Sequence, residues 1–160
     1  MTAMIYLVAG KIAAGKSTLI ASLAQAENTV LIAEDQWLTA LFSDQMKTVP
    51  DYGRCAARLR AAMAPHVVAL LRSGTSVALD FPANTRTTRA WMFDIIQQSG
   101  SAHELHFLDM PDDICKARLE LRNAAGSHPF SATEAQFDQI TKHFEPPLAS
   151  EGFNIILHRE

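Results

Sequence analysis

Residues 10–18 read Gly-Lys-Ile-Ala-Ala-Gly-Lys-Ser-Thr (GKIAAGKST) and follow directly on an apolar run at 4–9, MIYLVA. The run has strand composition, and the residues from Ser17 to about Ala26 have helical composition. Gly10, Gly15, Lys16 and Ser17 between them keep the spacing G-x-x-x-x-G-K-[ST]. A strand-to-helix turn of this kind points consecutive backbone N–H groups inward, and the helix N-terminus adds partial positive charge, so an anion is stabilised there. The candidate cradle comprises Gly10, Ile12, Ala13, Ala14, Gly15, Lys16, Ser17 and Thr18. Lys16 is placed to reach the β- and γ-phosphates of a nucleotide, and the Ser17 hydroxyl to ligate Mg²⁺. By average residue usage a chance match in a chain of this length is about half a per cent, which favours a phosphate site over an incidental glycine-rich turn. Alanine at 13 and 14, where glycine or serine is common, lets the backbone approach a phosphate as long as φ is negative.

Outward from the loop, short β-rich runs alternate with longer helical segments. The runs lie at 4–9, 29–33, 75–80, 103–108 and 153–158, and the helical segments near 16–26, 36–43, 54–72, 86–98, 112–123 and 133–143. Several runs are almost continuously apolar, as in strands covered on both faces of a parallel sheet. The alternation predicts a doubly wound α/β sheet with right-handed crossovers and a ligand crevice beyond the carboxyl ends of its strands. Pro65 is expected to kink or divide the third helical segment. The 160 residues suit one domain spanning 1–160, with no repeat or linker to divide it. Cys55 and Cys115 read as small buried hydrophobes, which with the absence of an export-like leader or membrane-length apolar run predicts a cytoplasmic protein. A net charge of −3 makes a nucleic-acid partner an unfavoured expectation.

Four stretches in this order, GKIAAGKST (10–18), LIAEDQWL (31–38), SVALDFPANTRTTR (76–89) and LDMPDDICKARLELRN (108–123), resemble the small P-loop kinases and phosphotransferases of the zeta-toxin, chloramphenicol phosphotransferase and polynucleotide kinase type. Such sequences often carry only the label AAA family ATPase or predicted kinase. The resemblance implies a three-layer α/β/α P-loop NTPase fold with a five-stranded parallel sheet of order 2-3-1-4-5. It further implies ATP and Mg²⁺ as cosubstrates and transfer to a hydroxyl. Few residues follow the fifth run, so a preference for ATP over GTP rests on the resemblance alone.

The acidic residues divide by position. Asp35 follows the second run and Asp80 ends the third, so both face the crevice. If the third strand neighbours the first, Asp80 lies beside Ser17 and can hold the metal. Asp35, one strand further out, suits an acceptor's proton, the role an aspartate matching it has in the resembling kinases. Its competing role is N-cap of a helix starting near Gln36. Glu34 is a weaker substitute for either carboxylate.

Arg118 and Arg122 stand i, i+4 with no acid three or four residues before them, so the phosphates of ATP are an obvious source of negative charge. The resemblance implies lid arginines here that clamp ATP, with a small lid near 118–131 whose tip, NAAGSHPFS (123–131), includes His128 and Pro129. Arg86 and Arg89 are candidates for an anionic substrate or for ordinary surface charge, and Arg54 and Arg58 for a solvated stripe. Trp37 is a candidate wall of the acceptor pocket, with core packing the favoured alternative. The tract HELH (103–106) is not read as a metal site, because residues 103 and 106 of a strand point to opposite faces.

The sequence therefore predicts an ATP- and Mg-dependent phosphotransferase acting on a hydroxyl of a small molecule. The alternatives are a nucleotide-binding NTPase switch with no phosphorylated acceptor, and a 5′-hydroxyl nucleic-acid kinase.

Overall fold

The apolar runs form one parallel sheet, and its strand order decides which loops meet. In the computed structural model, which describes residues 2–126 and 132–159, the strands are β1 (Met4–Gly10), β2 (Thr29–Ala33), β3 (Ser76–Pro82), β4 (Ala102–Leu108) and β5 (Ile155–His158). They lie in the order β2-β3-β1-β4-β5, with every pairing parallel. The helices are α1 (Lys16–Leu23), α2 (Glu34–Phe42), α3 (Val49–Arg72), α4 (Arg86–Ser99), α5 (Asp112–Ala125) and α6 (Glu134–Thr141), with a short 3₁₀ turn at Ala149–Glu151.

Alternation of side chains along the central strands builds two cores. Ile5, Leu7 and Ala9 of β1 join Val77, Leu79 and Phe81 of β3 under Leu59, Met63 and Val67 of α3 and Met92 and Ile95 of α4. Val8 and Ala78 face the other way, onto Ile20 of α1, Cys115 and Leu119 of α5 and Phe137 of α6. This is the three-layer α/β/α P-loop NTPase arrangement. Both cysteines are buried and free. At the edge, β2 leaves Val30 and Leu31 about two-fifths exposed, so full cover on both faces belongs to the inner strands.

The expected start of α3 is corrected, and so is its expected division at Pro65. It starts at Val49 rather than near 54, because Thr48 and Asp51 form a reciprocal capping box and Pro50 fits the first turn. Pro65 does not divide it: the helix is continuous for 24 residues. Pro65 and Ala61, whose carbonyl Pro65 cannot serve, are both exposed, so water can satisfy that acceptor. The lid-tip expectation for His128 and Pro129 lies outside the described residues, while α5 ends at Gly126 with φ 63°.

Candidate active site

The turn between β1 and α1 is shaped by its glycines and braced from three other elements. A Cβ on Gly10 would stand 3.1 Å from the Leu108 carbonyl oxygen and 3.2 Å from the Ala14 Cβ, a contact only glycine avoids without displacement. Gly15, with φ 105°, delivers the chain into α1. Ala13 also has positive φ, 61°, so the expectation of negative φ fails there; the loop bends through a left-handed alanine. The first turn of α1 holds no acid and receives no side-chain cap, so its partial positive charge stays available to an anion.

Lys16 curls back into this turn, its Nζ donating to the Gly10 and Lys11 carbonyls at 2.7 Å each. Burial lowers its pKa to about 8, opposed by the charges of Asp80 and Asp35 and reinforced by Arg122. The Ser17 hydroxyl donates to Asp80 Oδ2 at 2.9 Å, because β3 adjoins β1 in the sheet. A hydroxyl oxygen beside a carboxylate is an oxygen donor set that suits Mg²⁺.

Asp35 lies within α2, which begins at Glu34 with Ala33 at the N-cap and no side-chain cap. The N-cap alternative for Asp35 is thus overturned. It borders an open depression of about 400 Å³ that it lines with Gln36, Thr39 and Ala40. Glu34 turns inward instead, 3% exposed, accepting from Tyr52 Oη at 3.4 Å and Arg60 at 3.5 Å. Burial raises its pKa against the opposing charge of Arg60. Trp37 is 39% exposed on α2 and is not a core residue.

The α5 arginines lie over the loop. Arg118 Nη1 donates to the Ala14 carbonyl at 3.0 Å. Arg122 has its pKa lowered by burial and partly restored by Asp35, and its buried Nε has no hydrogen-bond partner. At the base of α5, Lys11 Nζ meets Asp112 at 2.6 Å.

The arginines of α4 do not act as a pair. Arg89 is fully buried: Nε donates to both Glu151 carboxylate oxygens at 3.1 and 2.9 Å, and Nη1 to the Ala83 and Glu145 carbonyls at 2.9 and 2.6 Å. An anionic substrate has no access to it, so its anticipated substrate role is corrected to that of an anchor for residues 145–151. Arg86 is exposed and faces Glu145 at 3.8 Å. Arg54 pairs with Asp51 on the surface at 3.1 Å. His103 and His106 have separate partners: His103 accepts from the Asn154 N–H at 2.9 Å, whereas His106 bridges His158 at 2.9 Å and Glu104 at 3.0 Å.

Asn84 was not anticipated. Its side chain accepts from the Gly10 N–H at 2.9 Å and donates to the Gly10 carbonyl at 2.8 Å. Its only sequence signal is proximity to Asp80, because the bond spans 74 positions.

Residues 5–147 match the family AAA_33, an AAA domain. The chain belongs to this AAA domain family. Among solved structures, this AAA domain is similar to a candidate kinase from Chloroflexus aurantiacus J-10-fl, with 19% identity, a TM-score of 0.75, and coverage of 99% of this chain and 85% of that one. It is also similar to a sugar kinase from Janibacter sp. HTCC2649, at 18% identity, TM-score 0.65 and coverage of 99% and 86%. A third is a chain of the Pnkp1/Rnl/Hen1 RNA repair complex, at 18% identity and TM-score 0.64, where the match covers 89% of this chain and 44% of that one. At these identities the likeness shows the fold, the three-layer P-loop architecture. No curated protein matches the sequence as a relative. Among the described residues, no helix is long and apolar enough to cross a membrane.

Proposed function

We propose that this AAA domain is an ATP- and Mg-dependent phosphotransferase that moves the γ-phosphate to a hydroxyl of a small molecule. The observation that carries the reading is the 2.9 Å hydrogen bond from Ser17 to Asp80 at the start of α1, next to a Lys16 ammonium curled onto the Gly10 and Lys11 carbonyls. An ammonium held in the curl of a phosphate loop, followed by a hydroxyl paired with a carboxylate that suits a metal, fits phosphoryl transfer.

In this reading the loop amides and Lys16 hold the β- and γ-phosphates. Ser17 and Asp80 hold Mg²⁺, which neutralises charge building on the phosphate oxygens. Asp35 orients the acceptor hydroxyl at the depression beside α2 and takes its proton. The acceptor oxygen bonds to the γ-phosphorus as the bond to the β,γ-bridging oxygen breaks, and ADP leaves. Arg118 and Arg122 stabilise the charge in transit, and the buried Nε without a partner on Arg122 supports that role. The net charge of −3 favours a small acceptor over a nucleic acid. A cytoplasmic location suits a consumer of ATP whose two cysteines are free.

Calorimetry with Mg-ATP, followed by an acceptor screen of alcohols, nucleosides, sugars, antibiotics and a 5′-hydroxyl oligonucleotide for stimulated ADP release, tests the proposal. An acceptor that accelerates ADP release in wild type, and fails to in Asp35→Asn, is the expected result. Unchanged ATP turnover in Asp35→Asn, with no acceptor raising it, would favour a nucleotide-driven switch. Folded protein that ignores both Mg-ATP and Mg-GTP would end the phosphotransfer reading.

A further inference from the structure

Glu34 and Asp35 open α2 side by side, yet Asp35 borders the depression while Glu34 is sealed inside with partners from α3. Tyr52 Oη donates to Glu34 Oε1 at 3.4 Å, and Arg60 Nη2 to Oε2 at 3.5 Å. Among the described residues the buried Arg60 Nε has no hydrogen-bond partner, and Glu34 is the acid with which this guanidinium pairs. The group belongs to the cleft: the charges of Asp35 and Asp80 act on Glu34, and that of Asp35 acts on Tyr52.

A half-buried arginine in such a place can serve the buried acid or an anion on the substrate. Turning it to the substrate would leave Glu34 as a buried carboxylate without its cation, which is strongly unfavourable. An anion would also meet the charge of Asp35. The α4 arginines are engaged elsewhere: Arg89 is sealed on Glu151, and Arg86 faces Glu145. We propose that the Glu34–Arg60 pair sets the charge class of the acceptor. With the charge of Arg60 cancelled inside the protein, the site takes an uncharged hydroxyl compound in preference to its phosphorylated or carboxylated counterpart. The inference rests on the acceptor part of the reading above and narrows it. Glu34 acts through Arg60 and is a positioning residue, not a catalytic one.

The test measures acceptor-stimulated ADP release from Mg-ATP by the full chain. Each compound of the screen is paired with a charged counterpart, such as glycerol with glycerol 3-phosphate, glucose with glucose 6-phosphate and adenosine with AMP. Wild type is expected to favour the uncharged member in kcat/KM. Glu34→Gln keeps the shape and removes the charge, so Arg60 becomes available to an anion and the preference is expected to shrink about tenfold. Glu34→Gln combined with Arg60→Gln removes both charges, and the wild-type preference is expected to return. A purely structural pair would lower the melting temperature of both variants and leave the preference of each within about threefold of wild type. That result would overturn the proposal, as would a wild type that favours the charged member. Should neither variant fold, the wild-type preference decides. A wild type in which no compound of either kind raises ADP release would instead overturn the phosphotransfer reading itself, so the two failures are distinct.

Discussion

The Ser17 hydroxyl donates to the Asp80 carboxylate at 2.9 Å, joining the first turn of α1 to the end of a strand 63 positions later. Neither residue needs the other to fold locally, so the contact exists because β3 is seated beside β1. Asp80→Asn keeps the shape and removes the charge. Mg²⁺ is expected to tighten ATP binding at least tenfold less in this variant than in wild type, while binding of metal-free ATP is unchanged or tighter. Paired titrations with Mg²⁺ and with EDTA check this; an undiminished Mg²⁺ effect would remove Asp80 from the metal site.

Lys16 is stored at a cost to the nucleotide-free protein. Its side chain as a whole is half-buried, but the ammonium lies in the curl of the loop, and those surroundings lower its pKa from 10.5 to about 8. Such a drop corresponds to about 3 kcal/mol of unfavourable burial of charge. The two carbonyl bonds lost on substitution offset part of it. Lys16→Met is therefore expected to unfold about 1–2 kcal/mol later than wild type at pH 7, while losing nucleotide binding. Because the folded pKa lies below the unfolded one, the unfolded chain binds more protons between about pH 8 and 10.5. Wild type gains stability over that window, and the gap between the two proteins closes. Denaturant titrations at pH 7 and pH 10 measure both effects.

Arg89 and Arg86 are expected to diverge on substitution. Arg89→Met leaves Glu151 and the carbonyls of Ala83, Glu145 and Pro146 without this donor, and a loss of about 3–5 kcal/mol is expected. Arg86→Ala removes an exposed, distant pair and is expected to change stability by less than about 0.5 kcal/mol. Burial acts to raise the Glu151 pKa, but the bonds from Arg89 and from the Leu148 N–H hold it below 4.5. Its contribution is thus complete above pH 4.5 and lost as pH falls through the lower folded value. Acid unfolding of wild type and Glu151→Gln, compared below pH 4.5, reads that difference. Equal stability losses in the two arginine variants would contradict the anchoring role.

The left-handed backbone of Ala13 sets up a comparison with its neighbour. Ala13→Gly relieves a strain of about 1 kcal/mol while adding a similar freedom to the unfolded chain, so stability is expected to hold or rise slightly. Ala14 is buried and lacks positive φ, so Ala14→Gly is expected to cost about 1 kcal/mol. Thermal melts of the two variants check the contrast.

Other features were within reach of the sequence. The capping box that starts α3, Thr48 with Asp51 around Pro50, is a local signature, and a start near 54 overlooks it. The exposed position of Trp37 is different: helical spacing alone does not say which face of α2 meets its neighbours, and those neighbours are α3 and β3.

What the sequence determined by itself was whatever depends on neighbours along the chain. The spacing from Gly10 to Thr18 specifies a glycine-shaped turn between strand and helix, and the alternating runs specify a parallel sheet, with Asp35 and Asp80 at the carboxyl ends of its second and third strands. Tertiary structure alone decided the fates of residues whose local context is alike. Arg86 and Arg89 share a helix and a charge, yet one faces solvent and the other is sealed against Glu151, brought from 62 positions away. Glu34 and Asp35 are adjacent carboxylates, yet one turns into the protein toward Tyr52 and Arg60 while the other borders the open depression. Asn84 reaches Gly10 only because β3 and β1 are paired. Hydrogen bonds and burial between distant segments depend on strand order and helix rotation, which the whole molecule sets through the packing of its two cores.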